Sequence, residues 1–204
     1  MVVEIKGQMF LLGGIIILTV LVIAGSSLRM TDITIQRRTL EIRFEDKIFD
    51  NIVSEIENAL EFSYGDVEGM TISVYDFGNY SWKKMKEHSL DFILLYVGIL
   101  ANTSSSQMNI TVVNIFDDGV NVSLELNTSP PQTDSESLAM FGSWETVFTF
   151  SPGEDYLLTI TYNQASESVT IETGSGDVYV GFFDVRLETE KSLRRRVFQK
   201  SYLL

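Results

Sequence analysis

The sequence predicts a mainly β protein, in which an antiparallel β-sandwich follows one long apolar helix and one short amphipathic helix. Three observations support this fold class. Residues 7–28 form an unbroken uncharged run, and residues 46–63 place apolar side chains at helical spacing. From about residue 90 onward, short apolar and aromatic runs alternate with turns rich in Gly, Pro and Asn, which is typical of antiparallel sheets.

The composition excludes several classes of protein. The 204 residues include Lys+Arg 15 and Asp+Glu 28, for a formal net charge of -13, so a nucleic-acid binder is not expected. The absence of Cys excludes disulfides and thiolate zinc sites, and the single His excludes a multi-histidine metal centre. A hydrophobic content of 45% is too high for a disordered acidic tail.

The first long element is the uncharged run from Gly7 to Leu28. Its 22 positions would form a helix of about 33 Å at about 1.5 Å per residue, which is enough to cross the hydrocarbon core of a bilayer. The alternative is a cleaved secretory signal, in which Ala24-Gly25-Ser26-Ser27 would contain the cleavage site. The apolar part of such a signal is usually about 7–15 residues long, so a retained membrane helix over 8–28 is preferred.

The sequence Lys6-Gly7-Gln8, followed directly by the apolar run, resembles the class III, type IV pilin-like signal peptide of archaeal surface proteins. The resemblance covers about the first 28 residues. It implies that residues 1–7 are a leader that a prepilin peptidase removes between Gly7 and Gln8, and that 8–28 remain in the membrane or in a filament core. Assembling pilins carry an acidic residue at the fifth mature position, where this chain has Leu12. The resemblance therefore implies a minor pilus subunit or an anchored surface protein.

Five N-x-[ST] sequons fall between residues 79 and 129 and predict an exterior location. They begin at Asn79, Asn102, Asn109, Asn121 and Asn127. Such sequons are acceptors of N-linked glycans in exported proteins, so we expect some of the five to be glycosylated. The alternative is that Asn, Ser and Thr are simply common in polar loops and β edges. The expected location is the cell membrane with an extracellular domain, or a cell-surface filament.

The domain following the membrane helix begins with a helix. Residues 29–45 are expected to form a linker, and 46–204 an extracellular β-rich domain. Ile48, Ile52, Ile56 and Leu60 share one face at helical spacing, and Asp46 is a suitable N-cap. The sequence therefore predicts an amphipathic helix over about 46–63 that packs against the core.

The following segments are assigned by their periodicity and turn residues. Met70–Phe77 alternates as a strand, and Tyr80–His88 is a short helix or a loop. Leu90–Leu100 is preferred as a buried strand over a helix ending near Gly98. Asp117-Asp118-Gly119 predicts a hairpin turn, and Thr128–Leu138 a loop. The remaining strands are expected at Met108–Phe116, Val120–Leu126, Thr146–Phe150, Tyr156–Tyr162, Ser168–Thr173 and Val178–Glu188.

Charge is segregated along the chain. From Glu87 to Asp184 there are 14 acidic residues and no Lys or Arg, whereas Arg194, Arg195, Arg196 and Lys200 follow near the C-terminus. This pattern predicts an acidic surface closed by a basic final strand. Alternatively, the basic tail binds an acidic face, either on its own domain or on a neighbouring subunit.

Motifs of known catalytic chemistry are missing from the sequence. It contains no G-x-S-x-G, H-E-x-x-H, Walker A or dinucleotide fingerprint, and His88 follows three Lys in a polar segment typical of a surface. No enzymatic activity is expected. Calcium is the one cofactor considered, because acidic loops supply oxygen ligands, here Asp117, Asp118, Glu154 and Asp155. No EF-hand pattern accompanies them, so ordinary turn residues are the simpler interpretation.

These observations leave two main functional hypotheses. The first is a membrane-tethered, outward-facing pilin-like structural protein of the archaeal cell surface, acting as a minor pilus subunit. The alternative is a membrane-anchored extracellular binding or adhesion module that does not enter a filament, with Trp82 and Trp144 as possible stacking residues. The expected partners are the membrane and other pilin subunits, and no nucleic acid.

Overall fold

The computed structural model describes residues 44–61, 67–116, 118–174, 176–189 and 192–204. These residues form two helices and nine strands. The helices are α1 (44–61) and α2 (Val67–Glu87). The strands are β1 (Asp91–Asn102), β2 (Gln107–Ile115), β3 (Val120–Leu126), β4 (Gln132–Leu138), β5 (Ser143–Thr149), β6 (Asp155–Tyr162), β7 (Ala165–Glu172), β8 (Val178–Glu188) and β9 (Leu193–Leu203).

The strands form two antiparallel sheets, which confirms the predicted mainly β class. One sheet has the order β5-β2-β1-β8-β9 and the other β4-β3-β6-β7. In β3 the odd-numbered residues face solvent and the even-numbered residues are buried, as expected for a strand with one wet face. Buried side chains from both sheets, including Val97, Leu124, Ile160 and Phe182, form one shared apolar core. The two sheets thus pack as a sandwich.

Helices cover the outer face of the five-stranded sheet, so its central strands are buried on both sides. Strands β1 and β8 are accordingly almost continuously buried. Helix α2 packs on β1 and β2, and the missing side chain of Gly78 lets its backbone approach Ile115 and Leu94 closely. The part of α1 from Phe49 onward lies over β9. There the guanidinium of Arg196 lies over the Phe49 ring, with its central carbon 5.8 Å from the ring centroid.

The predicted amphipathic helix is confirmed over residues 46–61, and the described residues 44 and 45 are helical as well. Its buried face comprises Phe49, Ile52, Val53, Ile56 and Leu60. The predicted strand over Met70–Phe77 is wrong, because this segment is the first half of α2. Strand alternation would have buried Ile72, which is 53% exposed, whereas the buried positions Met70, Val74 and Gly78 recur every four residues.

Two connections also differ from the prediction. The residues around Asp118 do not close a hairpin, because β2 and β3 belong to different sheets and neither pairs with the other. Instead, the fully buried Asn114 donates from Nδ2 to the carbonyls of Leu138 and Ala139 and accepts from the Phe116 N–H, which fixes the crossing between the sheets. The predicted loop over 128–138 contains strand β4, an exposed edge strand with only Leu138 fully buried.

The predicted N-terminal segments lie outside the described residues. This applies to the leader 1–7, the membrane helix 8–28 and the linker 29–45 up to residue 43, whereas residues 44 and 45 already belong to α1. In the part of the chain that is described, no helix is long and apolar enough to span a membrane. Phe49–Leu204 forms one compact unit.

Candidate functional site

The five sequons occupy three kinds of local structure. Asn79 lies within α2, whereas Asn109 and Asn121 lie within strands β2 and β3. Asn102 is the last residue of β1 and begins the turn to β2, and Asn127 follows the end of β3. Only Asn102 and Asn127 therefore begin sequons that run into loops, which is where N-linked glycans are usually found.

The two loop asparagines are both held through the side-chain oxygen. Asn102 Oδ1 accepts a hydrogen bond from Ser104 Oγ at 2.7 Å and another from the Ser105 N–H at 2.9 Å. Asn127 Oδ1 accepts from the Leu157 N–H at 2.7 Å. Each bond fixes the amide plane and uses the oxygen, which is not the atom that receives a glycan.

The helix and strand asparagines are constrained differently. The hydroxyl residue of the Asn79 sequon, Ser81, is only 4% exposed on the inner face of α2. Asn109 is exposed, but its backbone is paired on both sides, with Leu100 of β1 and Val147 of β5. Extracting this sequon from the sheet would break ladder hydrogen bonds on both flanks.

Asn109 also lines a groove on the helix-bearing face of the five-stranded sheet. The groove has a volume of about 610 Å³, and its lining mixes aliphatic, hydroxyl and amide groups with one carboxylate, from Glu145. Gly98 forms part of its floor, and the half-exposed side chains of Ile72 and Val147 contribute apolar surface to its lining. The groove therefore presents both polar and apolar surface to solvent.

The structure does not bring the weak calcium candidates together. Asp118 lies in the crossing between β2 and β3, whereas Glu154 and Asp155 lie at the start of β6, and Asp117 is outside the described residues. Tyr156 donates its hydroxyl to Glu154 Oε2 at 3.2 Å. Among the described residues, no group of three or more His, Asp or Glu could hold a metal ion. Gly7 and Gln8, the predicted peptidase site, are likewise outside the described region.

Both tryptophans make packing contacts within the domain, and the histidine lies on the surface, as its polar segment indicated. Trp82 packs edge-on against Phe141, with ring centroids 5.1 Å apart, and Trp144 packs against the sandwich core. His88 is exposed in the turn after α2.

A cluster of charged and polar side chains joins the two sheets between β6, β7, β8 and β9. At its centre Asp184 of β8 is fully buried, with a relative exposure of 0%. Its Oδ2 accepts from the Tyr162 hydroxyl at 2.8 Å and from Arg186 Nε at 3.0 Å, and its Oδ1 accepts from Arg195 Nε at 3.0 Å. Arg195 also pairs with Glu167 at 2.9 Å.

Electrostatics keep this central carboxylate ionised. Burial on its own would raise the pKa of Asp184, but the hydrogen bonds from Arg186, Arg195 and Tyr162 outweigh it and hold the pKa below its ordinary value. Burial, reinforced by the bond to Asp184, raises the pKa of Tyr162. The bond to Asp184 likewise raises the pKa of Arg195. Both partners therefore stay protonated as donors, and the cluster acts as a tie between the sheets.

Sequence reasoning missed this cluster, although one signal was present. Asp184 stands at an inward position of the largely apolar strand β8, and a buried carboxylate needs partners. The basic final strand was predicted correctly, and its interaction with the acidic side of its own domain is observed. Arg195 binds Asp184 and Glu167, and Arg196 binds Asp50 at 3.0 Å.

Comparison with known proteins gives no family assignment. No protein-family model matches the chain, and no curated protein matches it significantly.

Proposed function

We propose that the chain is a membrane-tethered, outward-facing pilin-like structural protein, a minor subunit of a surface filament. The observation that carries this proposal is the uncharged 22-residue run that directly follows Lys6-Gly7-Gln8. A run of this length fits a bilayer span, and its position after a short leader fits pilin-type processing. The mainly β domain that follows supplies a folded body outside the membrane.

The surface of the domain supports an exterior location. On the outer face of the four-stranded sheet, Ser123 lies between Ser135 and Thr161 on neighbouring strands, and all three are exposed. The chain contains no Cys whose oxidation state would depend on the compartment. The hydroxyl-rich outer face of this sheet and the acidic residues of the domain remain hydrated without a partner.

The proposed minor role follows from Leu12. In a filament core of pilin type, the N-terminal ammonium needs an acidic partner on a neighbouring subunit, and Leu12 cannot supply one. Burying an unpaired charge costs several kcal/mol, at least about 3. This penalty disfavours a homopolymer and leaves a monomer, a small oligomer or a component added to filaments of another subunit.

The N-terminus of the mature protein tests the proposal directly. Mass spectrometry of the protein isolated from membranes of its native cells should find a chain beginning at Gln8. A chain beginning at Met1 would indicate a plain signal anchor, and one beginning near Ser26 would show that the apolar run is removed. Protease added to intact cells should digest the domain, and complete protection would refute the outward placement.

A second candidate, an anchored binding module, is favoured by the groove beside α2. Its exposed Ile72 and Val147 offer apolar contact area next to the polar groups of Asn109 and Glu145. The two candidates differ in where the protein is found. Antibody labelling under the electron microscope should mark filaments for a minor subunit, and only the cell envelope for a module that stays apart from them.

A further inference from the structure

We propose that Asn102 is the preferred site of N-linked glycosylation in the folded protein, ahead of Asn79, Asn109 and Asn121. This inference rests on the proposed outward placement of the domain. It goes beyond the presence of sequons, because it depends on how the fold holds each one. The ligand class is an oligosaccharide, delivered by a lipid-pyrophosphate donor.

The turn after β1 fixes all three residues of the Asn102 sequon. The hydroxyl of Ser104, the third sequon residue, donates to Asn102 Oδ1 at 2.7 Å, and the Ser105 N–H donates to the same oxygen. Asp177 Oδ1 holds the middle residue, Thr103, by accepting from its backbone N–H and from its Oγ1, both at 2.8 Å. The sequon is therefore pre-organised in one conformation by contacts outside the sheet ladder.

This geometry leaves the reacting atom unbonded on a partly exposed side chain. Among the described residues, Asn102 Nδ2 takes part in no hydrogen bond, while Ser104 and Ser105 are exposed. Hydrogen bonds to Oδ1 draw electron density from the amide and favour loss of an Nδ2 proton. In the transfer, Nδ2 forms a bond to the anomeric carbon of the donor sugar while the bond from that carbon to the pyrophosphate oxygen breaks. The pyrophosphate leaves with the electron pair, and a base of the transferring enzyme takes the proton.

The other sequons lack this combination. Asn79 is helical and its Ser81 is buried, and Asn109 lies in an inner strand paired on both sides. Asn121 lies inside β3, and its sequon hydroxyl residue Ser123 pairs with both flanking strands, whereas Asn102 pairs only with Gln107 at the end of β1. Asn127 lies in a loop, but its oxygen is bound by the backbone of β6 and not by its own sequon. It ranks second.

The test uses the full chain, purified in detergent in its folded form. A single-subunit oligosaccharyltransferase that accepts N-x-[ST] and a lipid-pyrophosphate-linked oligosaccharide are added, and occupancy is read by peptide mass mapping. We expect occupancy at Asn102 to exceed that at Asn79, Asn109 and Asn121 by at least tenfold. In chain denatured beforehand, this difference should disappear.

Two matched variants separate pre-organisation from simple exposure. Asp177→Ala releases Thr103 and should lower occupancy at Asn102 severalfold in folded chain but not in denatured chain. Glu154→Ala, in a neighbouring loop, should leave it unchanged. Equal modification of Asn79, Asn109 or Asn121 in folded chain would overturn the proposal, and so would an unmodified Asn102 or a higher occupancy at Asn127 than at Asn102. Protease accessibility on intact cells tests the outward placement separately, so the two failures can be told apart.

Discussion

Replacing Asp184 by Asn is the most informative perturbation of the fold. The substitution keeps the size of the side chain but removes the charge that both Arg186 and Arg195 neutralise. It also replaces one acceptor oxygen by an NH₂ group, which would face N–H donors. The two guanidinium groups would then lie at the boundary between the sheets without their carboxylate.

The expected loss of stability can be worked from these contacts. Removing one partner of a buried ion pair costs about 3–5 kcal/mol. Arg195 is about a third exposed to water and retains Glu167, so the lower limit applies and we expect about 3 kcal/mol. For a chain of this size, each kcal/mol corresponds to about 2–4 °C in Tm, so Tm should fall by about 6–12 °C. Tyr162→Phe removes one of several donors to the carboxylate and should cost only about 1–2 kcal/mol.

Urea unfolding followed by circular dichroism measures these changes, with Asp155→Asn as the control. Asp155 is an exposed carboxylate on β6, and its replacement should change stability by less than about 0.5 kcal/mol. Equal effects of Asp184→Asn and the control would refute the idea that the cluster ties the sheets together.

The same cluster gives a dependence of stability on pH. Because the folded-state pKa of Asp184 lies below its ordinary value of 3.8, the folded state binds this proton less readily than the unfolded state. The contribution of Asp184 to the free energy of unfolding is therefore fully present above about pH 4. It is lost as the pH falls through the folded-state pKa of Asp184. Asp184→Asn should reduce the slope of the free energy of unfolding against pH in this acidic range. An unchanged slope would contradict the assignment.

Three further predictions concern packing, surface charge and assembly. Gly98→Ala should destabilise by about 1–3 kcal/mol in urea unfolding, because a Cβ would overlap the buried Tyr96 hydroxyl, whereas Gly174→Ala meets open space and should be nearly neutral. Arg196→Gln removes an exposed ion pair, so it should cost less than about 1 kcal/mol, and high salt should diminish the difference from wild type. Leu12→Glu introduces the acidic residue that assembling pilins carry at this position, so under the proposed function it should promote homopolymers under the electron microscope; long fibres of the unaltered protein would contradict the proposed minor role.

The β part of the fold was predictable because burial there follows strand periodicity. Strand β3 alternates perfectly, and β8 is a largely apolar run bounded by turn residues, so both were located to the residue. Helix α2 was partly missed because Met70–Phe77 also alternates and contains β-branched residues. Packing against the sheet favours a helix over a strand here, because Gly78 lets a helix approach the sheet closely.

Connections between the sheets were not predictable from local sequence. Asp-Asp-Gly is a good turn signal, but a turn does not specify whether the chain returns to the same sheet or crosses to the other. Here Asn114 binds carbonyls 24 and 25 positions further along the chain, so the crossing depends on contacts that sequence patterns do not encode. Strand β4 was missed because an exposed edge strand has no apolar alternation to detect.

The pairing of the basic final strand within its own domain affects how the protein meets other surfaces. Arg195, Arg196 and Lys200 all lie beside carboxylates of the same chain, so their charges are neutralised locally. The formal net charge of -13 therefore comes from acidic side chains outside these ion pairs. Like charge repels both anionic lipid headgroups and further copies of the same domain, most strongly at low ionic strength. Under the proposed membrane-tethered function, this repulsion adds to the lack of an acidic residue at position 12, and both disfavour a homopolymer of this chain.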